Sequence, residues 1–136
     1  MQSSAAFFAA LADDSRLRLL HLLKDGETCV CYLQEVLQTN RYGTFTYTIP
    51  GLTANTSYPV TLYFSEGYWT AAGKRTFNVV SNGTTELSNF DVFATAGAIN
   101  KAVSRSFNVN ANASGQIVLN FNTVIDNAQV NAIVVN

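Results

Sequence analysis

The chain has 136 residues, of which 48% are hydrophobic and 12% are charged, and its formal net charge at pH 7 is -1. This length can bury a core without disulfides or metals, and the balanced charge excludes a protein that binds nucleic acid non-specifically through the phosphates. The sequence has no run of about 18 apolar residues that could cross a membrane, and two cysteines are too few for a disulfide framework or a four-cysteine zinc site. We therefore expect no nucleic-acid partner, no membrane partner and no cofactor.

The composition changes abruptly between residues 36 and 39. Residues 1–40 contain eight of the seventeen charged residues, both cysteines and a single asparagine, whereas residues 41–136 contain the other thirteen asparagines. Leucine is frequent up to Leu37, and valine, threonine, phenylalanine and tyrosine replace it afterwards. The first group favours helices and the second favours strands. No linker rich in glycine, serine or proline separates the two parts.

Residues 1–37 are predicted to form two or three helices. A short helical stretch covers residues 5–11, and a second helix begins near Asp14, which can cap the free backbone amides of its first turn. This helix ends at Asp25–Gly26, where glycine can adopt the left-handed conformation, and a third helix is predicted over Thr28–Leu37. No signal peptide is predicted, because no positive charge precedes the apolar residues and two aspartates follow them. Expressed as it stands, the chain is expected in the cytoplasm.

Residues 9–37 contain the run AALADDSRLRLL and, further on, Glu27 and the segment CVCYL. They resemble the N-terminal helices of ArsR-type winged-helix repressors. The resemblance implies a role for Cys29 and Cys31 in metalloid binding, but soft metals usually take three or four ligands, so this pair is a weak metal candidate. The plainer interpretation is that Cys31 fills the core and Cys29 is a half-exposed thiol. The recognition helix of that family does not follow, which makes DNA binding a remote alternative.

Residues 41–136 are predicted to form six or seven short strands. Residues 44–49 alternate polar and apolar side chains, which is typical of a half-buried strand. The other predicted strands cover residues 57–64, 75–81, 84–87, 102–109, 116–121 and 129–135. Turn residues stand between them, including the strong hairpin signal Asn82-Gly83. This spacing predicts an antiparallel β-sandwich, and no helix is predicted in this part.

Four segments carry a second resemblance: QTNRYGTFTYTIPGL at 38–52, LYFSEGYWTAAGKRTFNV at 62–79, NGTTELSNFDVF at 82–93 and VIDNAQVNAI at 124–133. They resemble malectin-like carbohydrate-binding modules, and the implied fold is a malectin-like jelly roll. Modules of this family begin with further strands and a binding loop, and here the ArsR-like residues stand in their place. The resemblance implies non-catalytic binding of glucose-type oligosaccharides.

By motif, the resemblance places Tyr42, Tyr68, Trp69 and Asp126 at the sugar site. A sugar ring presents C–H faces that pack on aromatic rings, and its hydroxyl groups need polar partners. Tyr68 and Trp69 stand in the loop 65–73, where burial does not explain two large aromatic side chains. Two plainer interpretations stay open: Trp69 closes the open end of the core, and Asp126 is a turn residue. One aromatic contact of the family has no counterpart here, so we expect weakened binding.

An enzymatic function is not predicted. Glycoside hydrolysis needs two carboxyl groups facing one bond, and Glu66, beside the aromatic loop, is the one plausible partner for Asp126. A Ser/His/Asp triad lacks a credible histidine, because the single histidine, His21, lies in the helical segment.

The predicted fold is mainly β, of the α+β type: a truncated malectin-like β-sandwich over 38–136, with the helical segment 1–37 packed on it as one folding unit. Loss of the first strands exposes a sheet edge. We expect the helices to cover it with five apolar residues: Leu17, Leu20, Leu23, Leu33 and Val36. If they do not, two chains would share the exposed edges as a homodimer.

Both resemblances are partial and they meet without a linker. The simplest interpretation is a chimera, which favours an artificial origin by design or by selection from a fragment library, and an unusual natural recombination is the alternative. The predicted function is weakened binding of a glucose-type oligosaccharide. The alternatives are a designed or selected chimera without a biological ligand and, remotely, a metal-responsive DNA-binding regulator fragment.

Overall fold

A computed structural model of the protein describes residues 7–11, 17–20 and 41–136. Within these ranges the chain forms short strands and one helix. Their bounds are β1 (Phe7–Leu11), β2 (Leu17–Leu20), β3 (Arg41–Tyr42), β4 (Phe45–Ile49), β5 (Ser57–Ser65), β6 (Thr76–Ser81), β7 (Thr84–Phe90), α1 (Val92–Ala96), β8 (Ala102–Asn110), β9 (Ile117–Ile125), β10 (Gln129–Val130) and β11 (Ala132–Val135).

The strands form two larger sheets and one small one. The first sheet has the order β2-β1-β11-β5-β8, the second has the order β4-β9-β6-β7, and β10 pairs with β3. All of these pairs are antiparallel. The prediction of a mainly β, antiparallel fold is therefore confirmed.

Large apolar side chains from both sheets form one core. Leu62 and Phe64 of the first sheet and Phe77, Leu119 and Phe121 of the second are fully buried in it. In β5 and β6 the buried residues alternate with partly exposed ones, because successive side chains of a strand point to opposite faces. Removing this apolar surface from water is the main force that holds the two sheets together.

The N-terminal residues that the structure describes differ from the prediction. Phe7–Leu11 and Leu17–Leu20 were expected to be helical, and they are the strands β1 and β2. β1 pairs with β11, with Ala9 opposite Ile133, and β2 pairs with β1. Helix propensity is a weak preference that tertiary pairing overrides, and β11 offers β1 an edge with which to pair.

Consequently the edge of β11 that faces away from β5 is occupied by β1 of the same chain. Leu17 and Leu20 extend the first sheet as part of β2 instead of covering it as part of a helix. The other residues expected there, Leu23, Leu33 and Val36, and the whole predicted helix Thr28–Leu37 lie outside the described residues. So do the weak metal candidates Cys29 and Cys31.

The helix α1 was not predicted. The side chain of Asp91 caps it by accepting a 2.9 Å hydrogen bond from the backbone N–H of Ala94. Gly97 ends it in the left-handed conformation, with a φ of 80°, and donates to the carbonyl of Phe93. The sequence does not predict this helix because its five residues are too few to show the helical spacing of apolar residues. The described part of the chain contains no helix with the length and apolar character that a bilayer crossing needs.

Strand pairing brings three distant segments to one end of the sandwich. Thr76, at the start of β6, lies opposite Ile125, at the end of β9, so Arg75 and Asp126 become neighbours. Gln129 of β10 lies opposite Tyr42 of β3, which adds a third segment to the same end. The loop that follows β5 completes it.

Candidate functional site

A cleft of about 370 Å³ opens at this end of the sandwich. Six residues line it: Tyr42, Tyr68, Trp69, Arg75, Asp126 and Asn127. All four residues that the sequence analysis assigned to the sugar site are among them. Two others, Arg75 and Asn127, were not predicted.

The aromatic side chains of the cleft are unevenly exposed. Tyr68 is 68% exposed and Tyr42 is 55% exposed, whereas Trp69 is half-buried. The rings of Tyr68 and Trp69 stand at 89° to each other with their centroids 4.8 Å apart, which forms a right-angled aromatic corner. Trp69 is not part of the apolar core cluster. This argues against the interpretation that it only closes the open end of the core.

A hydrogen bond links the aromatic corner to a carboxylate. The indole Nε1 of Trp69 donates to Oδ2 of Asp126 over 2.6 Å. This bond is the main reason that the pKa of Asp126 lies below its ordinary value, and the backbone amide of Asn127 and the charge of Arg75 act in the same direction, opposed by partial desolvation. The backbone of Asp126 has a φ of 55°, a left-handed turn conformation that aspartate tolerates. Asp126 is therefore a turn residue that also faces the cleft.

Arg75, which lines the cleft, forms a buried ion pair with Glu66, which does not. Their side chains are 1% and 4% exposed, and Nε of Arg75 lies 2.7 Å from Oε1 of Glu66. Glu66 also accepts hydrogen bonds from the backbone N–H groups of Tyr68 and Trp69, at 3.1 and 3.2 Å. The carboxylate thus holds the backbone of the aromatic loop and is not presented to the cleft.

The guanidinium group of Arg75 contacts the other segments of the site. Its Nη1 donates to the carbonyl of Asn127 over 2.6 Å, and its Nη2 lies 3.6 Å from Oδ2 of Asp126. Its Cζ lies 5.6 Å from the centre of the Tyr42 ring, a cation–π distance. In the sequence, Arg75 stands directly before a strand with alternating apolar residues. This position does not predict the carboxylate with which Arg75 pairs.

A second cleft, of about 490 Å³, lies at the opposite end of β5. Its lining is mostly polar: Ser57, Ser81, Asn82, Thr84, Glu86, Asn108, Val109 and Asn110. The carboxylate of Glu86 accepts a 2.5 Å hydrogen bond from the hydroxyl group of Ser81. No aromatic side chain lines it. Across the described residues, no group of three or more histidine, cysteine, aspartate or glutamate side chains could hold a metal ion.

The sequence matches the family model described as "Malectin domain" over residues 23–133. The match begins before the change of composition at residues 36–39 and runs across it. It therefore includes residues that the sequence analysis assigned to an ArsR-like fragment, and nothing in the comparisons supports that fragment or the chimera. No protein with curated annotation matches the chain.

The fold is similar to several solved structures. The ANXUR2 extracellular domain from Arabidopsis thaliana has a TM-score of 0.70 at 14% identity over 98% of this chain and 39% of that one. A chain in the structure of the plant peptide RALF23 in complex with FER and LLG2 has a TM-score of 0.70 at 16% identity. The match covers 99% of this chain and 40% of the matched chain. A Bacteroides uniformis beta-glucuronidase has a TM-score of 0.64 at 17% identity, over 74% of this chain and 11% of the glucuronidase chain. The chain spans about two fifths of the first two and about a tenth of the third.

Proposed function

This chain belongs to the malectin domain family, and from the cleft of Tyr42, Tyr68, Trp69 and Asp126 we propose that it binds a glucose-type oligosaccharide without cleaving it. One observation carries the proposal: exposed aromatic rings and a hydrogen-bonded carboxylate surround the same cleft. The solved structures are less than 25% identical to this chain and support the fold alone.

The chemistry of the cleft suits a neutral sugar. The perpendicular rings of Tyr68 and Trp69 offer one face for the C–H groups of a pyranose and a second wall at its edge. Asp126 is ionised at neutral pH, as an aspartate with an ordinary or lowered pKa is, and its carboxylate can accept hydrogen bonds from sugar hydroxyl groups.

The absence of catalysis is part of the proposal. Hydrolysis would require Glu66 and Asp126 to face one glycosidic bond from its two sides. Glu66 is 1% exposed and is held by Arg75 and two backbone amides, so it has no path to a substrate in the cleft. Asp126 alone supplies a hydrogen-bond acceptor and no acid–base pair.

The test is a titration with maltose, followed by the fluorescence of Trp69, the single tryptophan. We expect a saturable change with a weak affinity, as the sequence analysis predicts. Asp126→Ala should abolish the change, and Glu86→Ala, which alters a carboxylate at the opposite end, should preserve it. A flat response from folded protein up to high millimolar sugar would favour the alternative, a chimera without a ligand. Sedimentation of the same sample decides whether a homodimer forms.

A further inference from the structure

The side chains of Glu66 and Arg75 form a buried ion pair at the cleft, which Arg75 lines and Glu66 does not. Burying two charges is costly, and a pair of apolar side chains would stabilise a core at least as well. Within the described residues, the side chains of this pair form hydrogen bonds and ion pairs only with each other and with groups of the cleft or its loop. The position of the pair therefore calls for an explanation other than stability.

On one side, Glu66 fixes the aromatic corner. Its Oε2 accepts from the backbone N–H groups of Tyr68 and Trp69, which closes a tight turn at the start of the loop. Hydrogen bonds to an ionised acceptor are roughly twice as strong as neutral ones. The backbone of both aromatic residues is thus held from behind, while their rings face the cleft.

Arg75 holds the part of the cleft that Asp126 and Asn127 form. One guanidinium group bonds to Glu66, to the carbonyl of Asn127 and, as an ion pair, to Asp126. The bond from Trp69 to Asp126 then closes a ring of contacts that runs from Glu66 through Trp69, Asp126 and Arg75 back to Glu66. Three segments of the chain meet in this ring.

We infer that the Glu66–Arg75 pair positions the aromatic corner and Asp126 for ligand binding, which makes Glu66 and Arg75 positioning residues of this site. The effect on affinity rests on the proposed sugar binding, whereas the effect on the geometry of the loop does not. A binding group that is held in place by supporting residues loses less freedom when the ligand arrives. Glu66 is thus neither a catalytic acid nor filler for the core.

The test compares Glu66→Gln with Glu86→Gln. Each variant removes one charge from a carboxylate that accepts a side-chain hydrogen bond, but Glu86 lies at the opposite end of the sandwich. At a temperature where all proteins are folded, three quantities are measured: the maltose Kd, the acrylamide quenching of Trp69, and the hydrogen exchange of the Tyr68 and Trp69 amides. We expect Glu66→Gln to raise Kd by about two- to tenfold, the cost of ordering one side chain that is no longer held in place. It should also increase quenching and amide exchange, and Glu86→Gln should change none of the three.

Three other outcomes of this comparison bear on the inference. If Glu66→Gln fails to fold, Arg75→Lys is used, because it keeps the buried charge but a single ammonium cannot reach Glu66, Asp126 and Asn127 together. If the unaltered protein binds no maltose, the proposed function fails, and quenching and exchange alone decide the positioning role. A lower melting temperature with unchanged Kd, quenching and exchange would overturn the inference and leave the pair a purely structural feature.

Discussion

Trp69 and Asp126 lie 57 positions apart in the chain, yet the indole Nε1 of Trp69 donates a 2.6 Å hydrogen bond to Oδ2 of Asp126. The bond joins the loop after β5 to the turn after β9, and it restricts the indole ring to one orientation. Because the aromatic and polar parts of the cleft are already connected, less conformational freedom is lost when a ligand contacts both.

This bond predicts how the cleft responds to acid. The pKa of Asp126 is lowered from its ordinary value of 3.8, chiefly by the Trp69 hydrogen bond. A carboxylate whose pKa is lower in the folded state stabilises that state above its unfolded pKa, and the contribution is lost as the pH falls through the folded pKa. Trp69 emission should therefore change as the pH falls, with a midpoint below 3.8.

Asp126→Asn provides the control for this titration. Asparagine still accepts from the indole but does not titrate, so the transition should disappear while far-ultraviolet circular dichroism reports folded protein. A midpoint at or above 3.8 in the unaltered protein would contradict the hydrogen bond as the source of the shift.

The exposure of Tyr68 predicts that its replacement lowers the affinity for sugar without lowering the stability of the fold. Since its side chain is 68% exposed, Tyr68→Ala should change the free energy of unfolding by no more than about 0.5 kcal/mol. Loss of the ring should cost about 0.5–1.5 kcal/mol of maltose binding, or roughly two- to tenfold in Kd. Tyr68→Phe keeps the ring and should retain most of the affinity. Equal Kd values for the alanine variant and the unaltered protein would remove Tyr68 from the site.

Much of the sandwich follows from local pattern. Predicted strands at 44–49, 57–64 and 75–81 correspond to β4, β5 and β6 with shifts of one residue, because alternating burial is visible in the sequence. β9 was predicted to end at Phe121, and it continues to Ile125. Its last residues are exposed and belong to the strand through pairing with β6, which no burial pattern records.

Features that depend on distant partners were missed for a physical reason. The leucine-rich composition of β2 predicts a helix, but its conformation is decided by pairing with β1, which in turn pairs with β11 at the far end of the chain. The same holds in the cleft, where the resemblance named four of the lining residues and overlooked Arg75. Its role depends on Glu66, Asn127 and Asp126, which only the fold brings together.

The pairing of β1 with β11 predicts a specific pattern in nuclear magnetic resonance spectra. Residues 7–11 should show Cα chemical shifts of extended backbone, and cross-strand contacts should connect Ala9 with Ile133 and Phe8 with Val134. Contacts between Leu62 and Ile133 serve as the internal reference, because β5 pairs with β11 on its other edge. Helical shifts over residues 7–11 together with intact Leu62–Ile133 contacts would restore the helical prediction for this segment.

Gly115 predicts the largest glycine effect in the sandwich. Its φ is 71°, and a Cβ there would overlap the carbonyl oxygen of Leu52. The two residues are also joined by a hydrogen bond from the backbone N–H of Leu52 to the carbonyl oxygen of Gly115. Gly51 has a similar φ of 80° with open space around it, so Gly51→Ala measures backbone strain alone, about 1–2 kcal/mol. Gly115→Ala adds the overlap, and it should lose a further 1–3 kcal/mol or so in urea unfolding, as overpacking does. Equal losses for the two variants would mean that the loop at Leu52 moves away freely, and the close approach of these two backbone segments would then contribute nothing to stability.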